Sequence, residues 1–159
     1  MPLTPFHLGP ALLIGLFLFK LLHLPTFLVA NVIVDLHSII MVLTGHYPTH
    51  GLMHTFLGGA FTAALLSLIM TWFDEKIQKI MSVFKLKQNH CRKKIWFTSF
   101  AGVYLHIILD SLLYTDIKPF YPLNYNPFYS LLGSSEVYIL CALSFILASA
   151  YYVCCYLRH

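Results

Sequence analysis

The chain has 159 residues, which is enough for one domain. Its apolar fraction is 58% and its charged fraction 10%, against about 45–50% and about 25% in soluble domains. This composition excludes a water-soluble domain and predicts an all-α integral membrane protein, a polytopic helical bundle. The net charge of +4 says less than the placement of the basic residues.

Apolar runs follow one another along the chain and predict about five transmembrane helices in a single membrane domain, residues 1–159. The runs cover about 8–22, 26–43, 51–73, 95–114 and 137–157. Residues 74–94 form a basic loop after the third run, and residues 115–135 form a loop rich in proline and tyrosine after the fourth. Short breaks separate the remaining runs.

The basic loop 74–94 predicts the orientation, because it holds seven of the ten lysines and arginines. The positive-inside rule places it in the cytoplasm, with the N-terminus outside, the C-terminus inside and loop 115–135 outside. Its apolar positions suit an amphipathic helix on an anionic membrane surface, although a solvated loop explains them equally well. Because topology accounts for the basic residues, we predict no nucleic-acid partner.

Histidines and aspartates interrupt or border several apolar runs, where an ionisable side chain is costly and usually functional. The candidates are His7, Asp35, His50, His54, His106 and Asp110. His50 and His54 have i,i+4 spacing, as do His106 and Asp110, so a helix would present each pair on one face. Alternating spans bring all six to the outer half of the membrane, which predicts one site facing the outer leaflet.

Imidazole nitrogens and carboxylate oxygens are ligands for divalent zinc, manganese or iron. A zinc ion takes three or four protein ligands, so six candidates permit more than one ion. Asp35 and Asp110 are the candidate catalytic carboxylates, as ligands or as bases beside metal-activated water. His37, His46 and Asp116 are further candidates, which could hydrogen-bond to the ligands and orient them. His23, His90 and His159 fall among the basic residues and receive no functional assignment.

Four segments carry a resemblance to a known family. They are Thr4-Pro5-Phe6-His7, Val34-Asp35-Leu36-His37, the segment His50–Thr55 and the segment Gly102–Asp110. Their order resembles the membrane-bound metal-dependent hydrolases, small inner-membrane proteins related to an SOS-regulated bacterial member. That family is grouped with zinc-dependent phospholipase C and single-strand nucleases, which hold three zinc ions. The resemblance implies one to three zinc ions on the six residues named above, and phosphoester cleavage.

The sequence therefore predicts a membrane-embedded metal-dependent hydrolase, acting on a phosphoester or another ester of a lipid or lipid-linked substrate. The alternative is a transporter or channel for metal ions or protons that uses the same cluster. A haem-binding cytochrome with His54 and His106 as axial ligands ranks last, because carboxylates beside haem iron are unusual. The expected location is the inner or plasma membrane, and the oligomeric state is left open.

Overall fold

The computed structural model describes residues 4–45 and 51–157, and the regular elements in these ranges are all helical. This confirms the predicted all-α bundle. The helices are α1 (Leu8–Phe17), α2 (Leu24–Thr44), α3 (Phe56–Val83), α4 (Arg92–Leu113) and α5 (Ser134–Tyr152). Short 3-10 turns, Thr4–His7 and Leu52–His54, precede α1 and α3, and a π-helical turn, Val153–Leu157, follows α5. Within the described ranges, four helices are long and apolar enough to cross a membrane, namely α2, α3, α4 and the α5 segment.

Helix α1 is shorter than the run 8–22 from which it was predicted. It has ten residues, about 15 Å of helix, which is half of a membrane core. The chain leaves the helix after Phe17 because carbonyl groups of the following turn find other donors. Gln88 donates its amide to the carbonyls of Phe19 and Leu22, and Lys94 donates to Phe19 as well.

The third run also differs from its prediction. Helix α3 begins at Phe56 rather than at residue 51, and it continues through the first half of the expected basic loop to Val83. Its N-cap Thr55 accepts a hydrogen bond from the backbone of Gly58, which starts the helix there. The basic segment is therefore partly a helical extension, which buries Asp74 and Gln78, and partly a connection over 84–91.

Helix α4 is the central element, packing against α2 on one side and α3 on the other, while α1 packs between α2 and α5. A core of small and branched side chains fills the space between α2, α3 and α4. Gly102 permits the close approach of α4 to α2, because a Cβ there would lie 2.5 Å from the Cβ of Ala30. This approach brings the polar positions of α2 and α4 together.

Candidate metal centre

Residues from several of the predicted spans form one buried polar cluster, in which α4 contributes two members. His106 and Asp110 lie one turn apart on α4 and are both fully buried. Asp35 reaches them from α2, and His54 reaches them from the 3-10 turn that precedes α3. His7, at the end of the first 3-10 turn, closes the cluster from the α1 side.

Four side chains share a common centre. Asp35, His54, His106 and Asp110 each offer one ligand atom, and these atoms all lie within 4.8 Å of one another. The Nε2 atom of His106 lies 3.3 Å from Asp35 Oδ1 and 3.2 Å from Asp110 Oδ2. The Nε2 atom of His54 lies 3.6 Å and 3.5 Å from the same two oxygens. The two imidazoles and the two carboxylates therefore face each other across one small space.

The protonation of His106 follows from its backbone contact. Its Nδ1 lies 2.9 Å from the carbonyl oxygen of Asn31, which can only accept, so Nδ1 carries the hydrogen. In the neutral ring the Nε2 lone pair then points at two carboxylates. Nothing in the described chain satisfies Nε2 of His106 or either carboxylate oxygen of Asp110 by a hydrogen bond, although all three are buried. A lone pair facing two anions is unfavourable unless a proton or a metal ion lies between them.

His7 supports this centre from behind. Its Nδ1 lies 3.1 Å from His106 Nδ1 and can accept a second, bifurcated hydrogen bond from that N–H group. Its Nε2 lies 3.3 Å from Asp110 Oδ1. In this tautomer the Nε2–H group of His7 faces Asp110 Oδ1, an electrostatic contact rather than a hydrogen bond. Burial lowers the pKa of His7, which favours the neutral ring that this arrangement needs. The geometry therefore favours His7 as an orienting partner of Asp110, while its predicted role as a ligand stays a prediction.

Imidazoles surround the carboxylate of Asp110. Within residues 4–45 and 51–157, its ion-pair contacts are all to imidazoles, those of His7, His54 and His106. Burial opposes protonation of His54, but its contacts with the carboxylates of Asp110 and Asp35 outweigh burial and raise its pKa. A proton and a metal ion therefore compete for the same electron pairs.

The dimensions of the cluster fit a divalent cation. Four ligands at about 2.0–2.1 Å from a tetrahedral zinc ion lie about 3.3–3.4 Å from each other. The four nitrogen-to-oxygen distances given above run from 3.2 to 3.6 Å. The backbone contact of His106 is the usual support of a metal-bound histidine, whose second nitrogen donates to a carbonyl or carboxylate. Two imidazoles and two carboxylates suit zinc, manganese or iron(II).

The predicted site residues divide into three groups. His7, Asp35, His54, His106 and Asp110 come together as expected. His46 and His50 lie outside the described residues. The further candidates His37 and Asp116 do not join the cluster: His37 lines a groove between α2 and α3, and Asp116 is exposed.

The prediction that His54 projects from a helix with His50 is wrong in its geometry. His54 lies on a 3-10 turn that ends before α3 begins. The turn folds back on the helix, since a Cβ on Gly58 would lie only 2.0 Å from the carbonyl oxygen of Leu52. His54 reaches the cluster through this close backbone contact rather than through helical spacing.

A second buried polar cluster lies at the other end of the bundle, and sequence reasoning missed it. Asp74 is 1% exposed, and its two oxygens lie 3.0 Å from His23 Nε2 and 2.6 Å from His90 Nδ1. The signal was available: Asp74 follows an apolar run directly, and Gln78 lies one turn later on the same face. Asp74 and Gln78 fall within the segment predicted as the basic loop 74–94, where the surrounding lysines conceal this pattern.

These features define a helical membrane protein with a buried histidine and aspartate centre. A family model described as YdjM inner membrane protein matches residues 6–159, so the chain belongs to that family. No curated protein and no solved structure matches the chain. The family and the apolar helices place the protein in the inner membrane and confirm the resemblance to the SOS-regulated inner-membrane type. The resemblance to phospholipase C and single-strand nucleases stays a prediction.

Proposed function

We propose that the protein is a metal-dependent hydrolase of the inner membrane that cleaves a phosphoester or another ester. The observation that carries the proposal is the convergence of Asp35, His54, His106 and Asp110 within 4.8 Å, with all four side chains buried. Burying two carboxylates is costly unless a cation compensates them. Ligands from three separate elements, with carboxylates rather than thiolates, are typical of reactive metal sites more than of closed structural ones.

The residues divide the work between them. Asp35, His54, His106 and Asp110 would hold the divalent cation, most simply zinc, with manganese or iron as the other options. When bound, the cation would lower the pKa of a coordinated water to about 7 and so supply a nucleophile at neutral pH. Asp35 or Asp110 would take the proton from the attacking water and pass it to the leaving-group oxygen as the ester bond breaks. His7 keeps the Asp110 carboxylate in place through its Nε2 contact.

A groove beside the centre supports a lipid or lipid-linked substrate. It has a volume of about 240 Å³ and an almost entirely apolar lining from α2, α3 and the turn that bears His54. Val34 and Met53 line it, and they are the neighbours of Asp35 and His54 in the chain. An acyl chain in this groove would bring its ester close to the centre from the bilayer side. Opening towards the outer leaflet follows from the predicted orientation of the chain.

The test is hydrolysis by the purified full-length protein in detergent. The substrates are bis(p-nitrophenyl) phosphate and a fluorescent phospholipid in mixed micelles, each assayed with zinc, with manganese and with a chelator. We expect turnover that needs the metal and that falls at least a hundredfold in Asp35→Asn and Asp110→Asn. Glu75→Gln is the control, because it removes an exposed carboxylate near the other end of α3. Equal activity in all three variants would show that the measured activity comes from elsewhere.

The second candidate function is movement of protons or metal ions across the membrane. The specific observation in its favour is the cluster of His23, Asp74 and His90, since a relay needs ionisable groups at both ends of the bundle. Along α2, His23 and Asp35 are twelve residues apart, about 18 Å. Proteoliposomes with a pH-sensitive or zinc-sensitive dye inside would detect such flux. Flux that disappears in both Asp74→Asn and Asp110→Asn would favour this function over hydrolysis.

A further inference from the structure

A polar cleft of about 340 Å³ lies between the end of α3 and the connection 84–91, far from the metal centre along the bundle. Its exposed charged walls are Lys79, Lys87 and Glu75, joined by Asn89 and His90. The family description and the proposed hydrolase reaction assign no role to this cleft, whereas the alternative relay would use two of its lining residues, Asp74 and His90. Its charge and its position in the membrane indicate what it binds.

The walls of the cleft are held firmly, because Gln88 anchors the connection to the rest of the fold. Its side-chain amide donates to the carbonyls of Phe19 at 2.6 Å and Leu22 at 2.8 Å, and its Oε1 accepts from the backbone of Leu24 at 2.8 Å. Its own backbone N–H donates to Gln78 Oε1 at 2.6 Å. Every polar group of this buried side chain is engaged, so the cleft is preformed.

The buried carboxylate of Asp74 is held by two neighbouring side chains. One oxygen lies 2.6 Å from His90 Nδ1, and the other accepts from Gln78 Nε2 at 3.1 Å. Two lysines and two acidic residues line the cleft, so its positive potential comes from the surrounding basic segment. Residues 74–94 hold seven lysines and arginines against two acidic residues, and this basic end of the molecule suits an anion.

The depth of the cleft favours a membrane lipid as the source of that anion. Trp72 and Phe73 directly precede Asp74 on α3, and Trp72 is 85% exposed. Exposed aromatic side chains at the end of a span are typical of the membrane interface. Ile80 and Val83 are exposed beside Lys79, where a soluble face would be polar. The lysines therefore lie where lipid headgroups lie.

We propose that this cleft binds the phosphate group of an anionic membrane phospholipid. The ammonium groups of Lys79 and Lys87 supply the charge, and the side-chain amide of Asn89 supplies a neutral donor. Basic pockets at the cytoplasmic ends of membrane helices are suited to such headgroups. The proposal is independent of the hydrolase reaction, because its residues lie at the opposite end of the bundle.

The test is lipid retention by the full-length protein, measured by native mass spectrometry from a neutral detergent. Phosphatidylglycerol is titrated against wild type, Lys79→Gln and Lys87→Gln. Lys93→Gln is the matched control, since it removes the same charge from an exposed position on α4 outside the cleft. We expect one phosphatidylglycerol per chain, with affinity reduced roughly fivefold by either cleft substitution. We expect less than a twofold change for Lys93→Gln, and no loss of affinity for Glu75→Gln.

Three outcomes would overturn the proposal. Equal retention of zwitterionic phosphatidylcholine would show that charge does not select the ligand. An equal effect of Lys93→Gln would show diffuse attraction by the basic end rather than a site. Displacement of the lipid by inorganic phosphate at the same concentration would assign the cleft to a soluble phosphate compound. Because all the substituted residues are exposed, monodisperse elution of each variant is sufficient evidence of a preserved fold.

Discussion

Replacement of Asp110 by asparagine tests the metal centre most directly, because this carboxylate contacts three imidazoles at once. His7 lies 3.3 Å from Oδ1, and His54 and His106 lie 3.5 Å and 3.2 Å from Oδ2. The amide keeps the size of the side chain and removes its charge. Any change in cation affinity in Asp110→Asn therefore reports on the charge of one ligand.

The expected magnitude follows from the ligand count. Structural zinc sites with four ligands set the scale: they hold zinc by about 10–16 kcal/mol, so an equal share for each ligand is about 2.5–4 kcal/mol. At about 1.4 kcal/mol for each factor of ten, Asp110→Asn should weaken zinc binding roughly 60-fold to 700-fold. Glu75→Gln, which removes an exposed carboxylate outside the cluster, should leave zinc binding unchanged.

Thermal unfolding in detergent gives the second readout. Zinc at 100 times its dissociation constant should stabilise the wild type by about 2.7 kcal/mol, and the same concentration should do little for Asp110→Asn. In a chelator this zinc-dependent gain in stability should disappear from the wild type, because no metal is then available to bind the folded state. The reasoning is refuted if Asp110→Asn binds zinc as tightly as wild type, or if zinc stabilises both proteins equally.

Three further predictions concern the elements around the centre. Gly58→Ala should push the Leu52 carbonyl away, displace His54 and weaken zinc binding in a protein that still folds, as measured by metal titration and circular dichroism. Gln88→Met should leave buried carbonyl and N–H groups unsatisfied, lower stability by about 1–3 kcal/mol and leave zinc affinity intact. Burial lowers the pKa of His23, so the unfolded chain binds a proton at this residue at a higher pH than the folded chain does. The free energy of unfolding should therefore fall as the pH drops below about 6.5, the ordinary histidine pKa. His23→Gln should reduce this pH dependence in thermal scans from about pH 7.5 to about pH 5.

The sequence by itself determined the class of protein and most of its centre. In a bilayer, the backbone N–H and C=O groups can pair only within helices or closed β-barrels. Long uninterrupted apolar runs predict helices, because barrel strands alternate apolar and polar residues. Asp35, His106 and Asp110 were recognisable because an ionisable group within an apolar helix is expensive, and that cost is a local property of the sequence. The pairing of His106 with Asp110 needed only the helical repeat.

The tertiary structure decided what depends on contacts between distant segments. The end of α1 at Phe17 is set by donors from Gln88 and Lys94, far along the chain, and no local signal shows that those carbonyls are taken. His54 comes into place through a backbone turn rather than a helical repeat. His23, Asp74 and His90 join only because the turn between α1 and α2 folds against the end of α3. Hydropathy shows which residues leave water, whereas the partners that they meet are decided by how the helices pack.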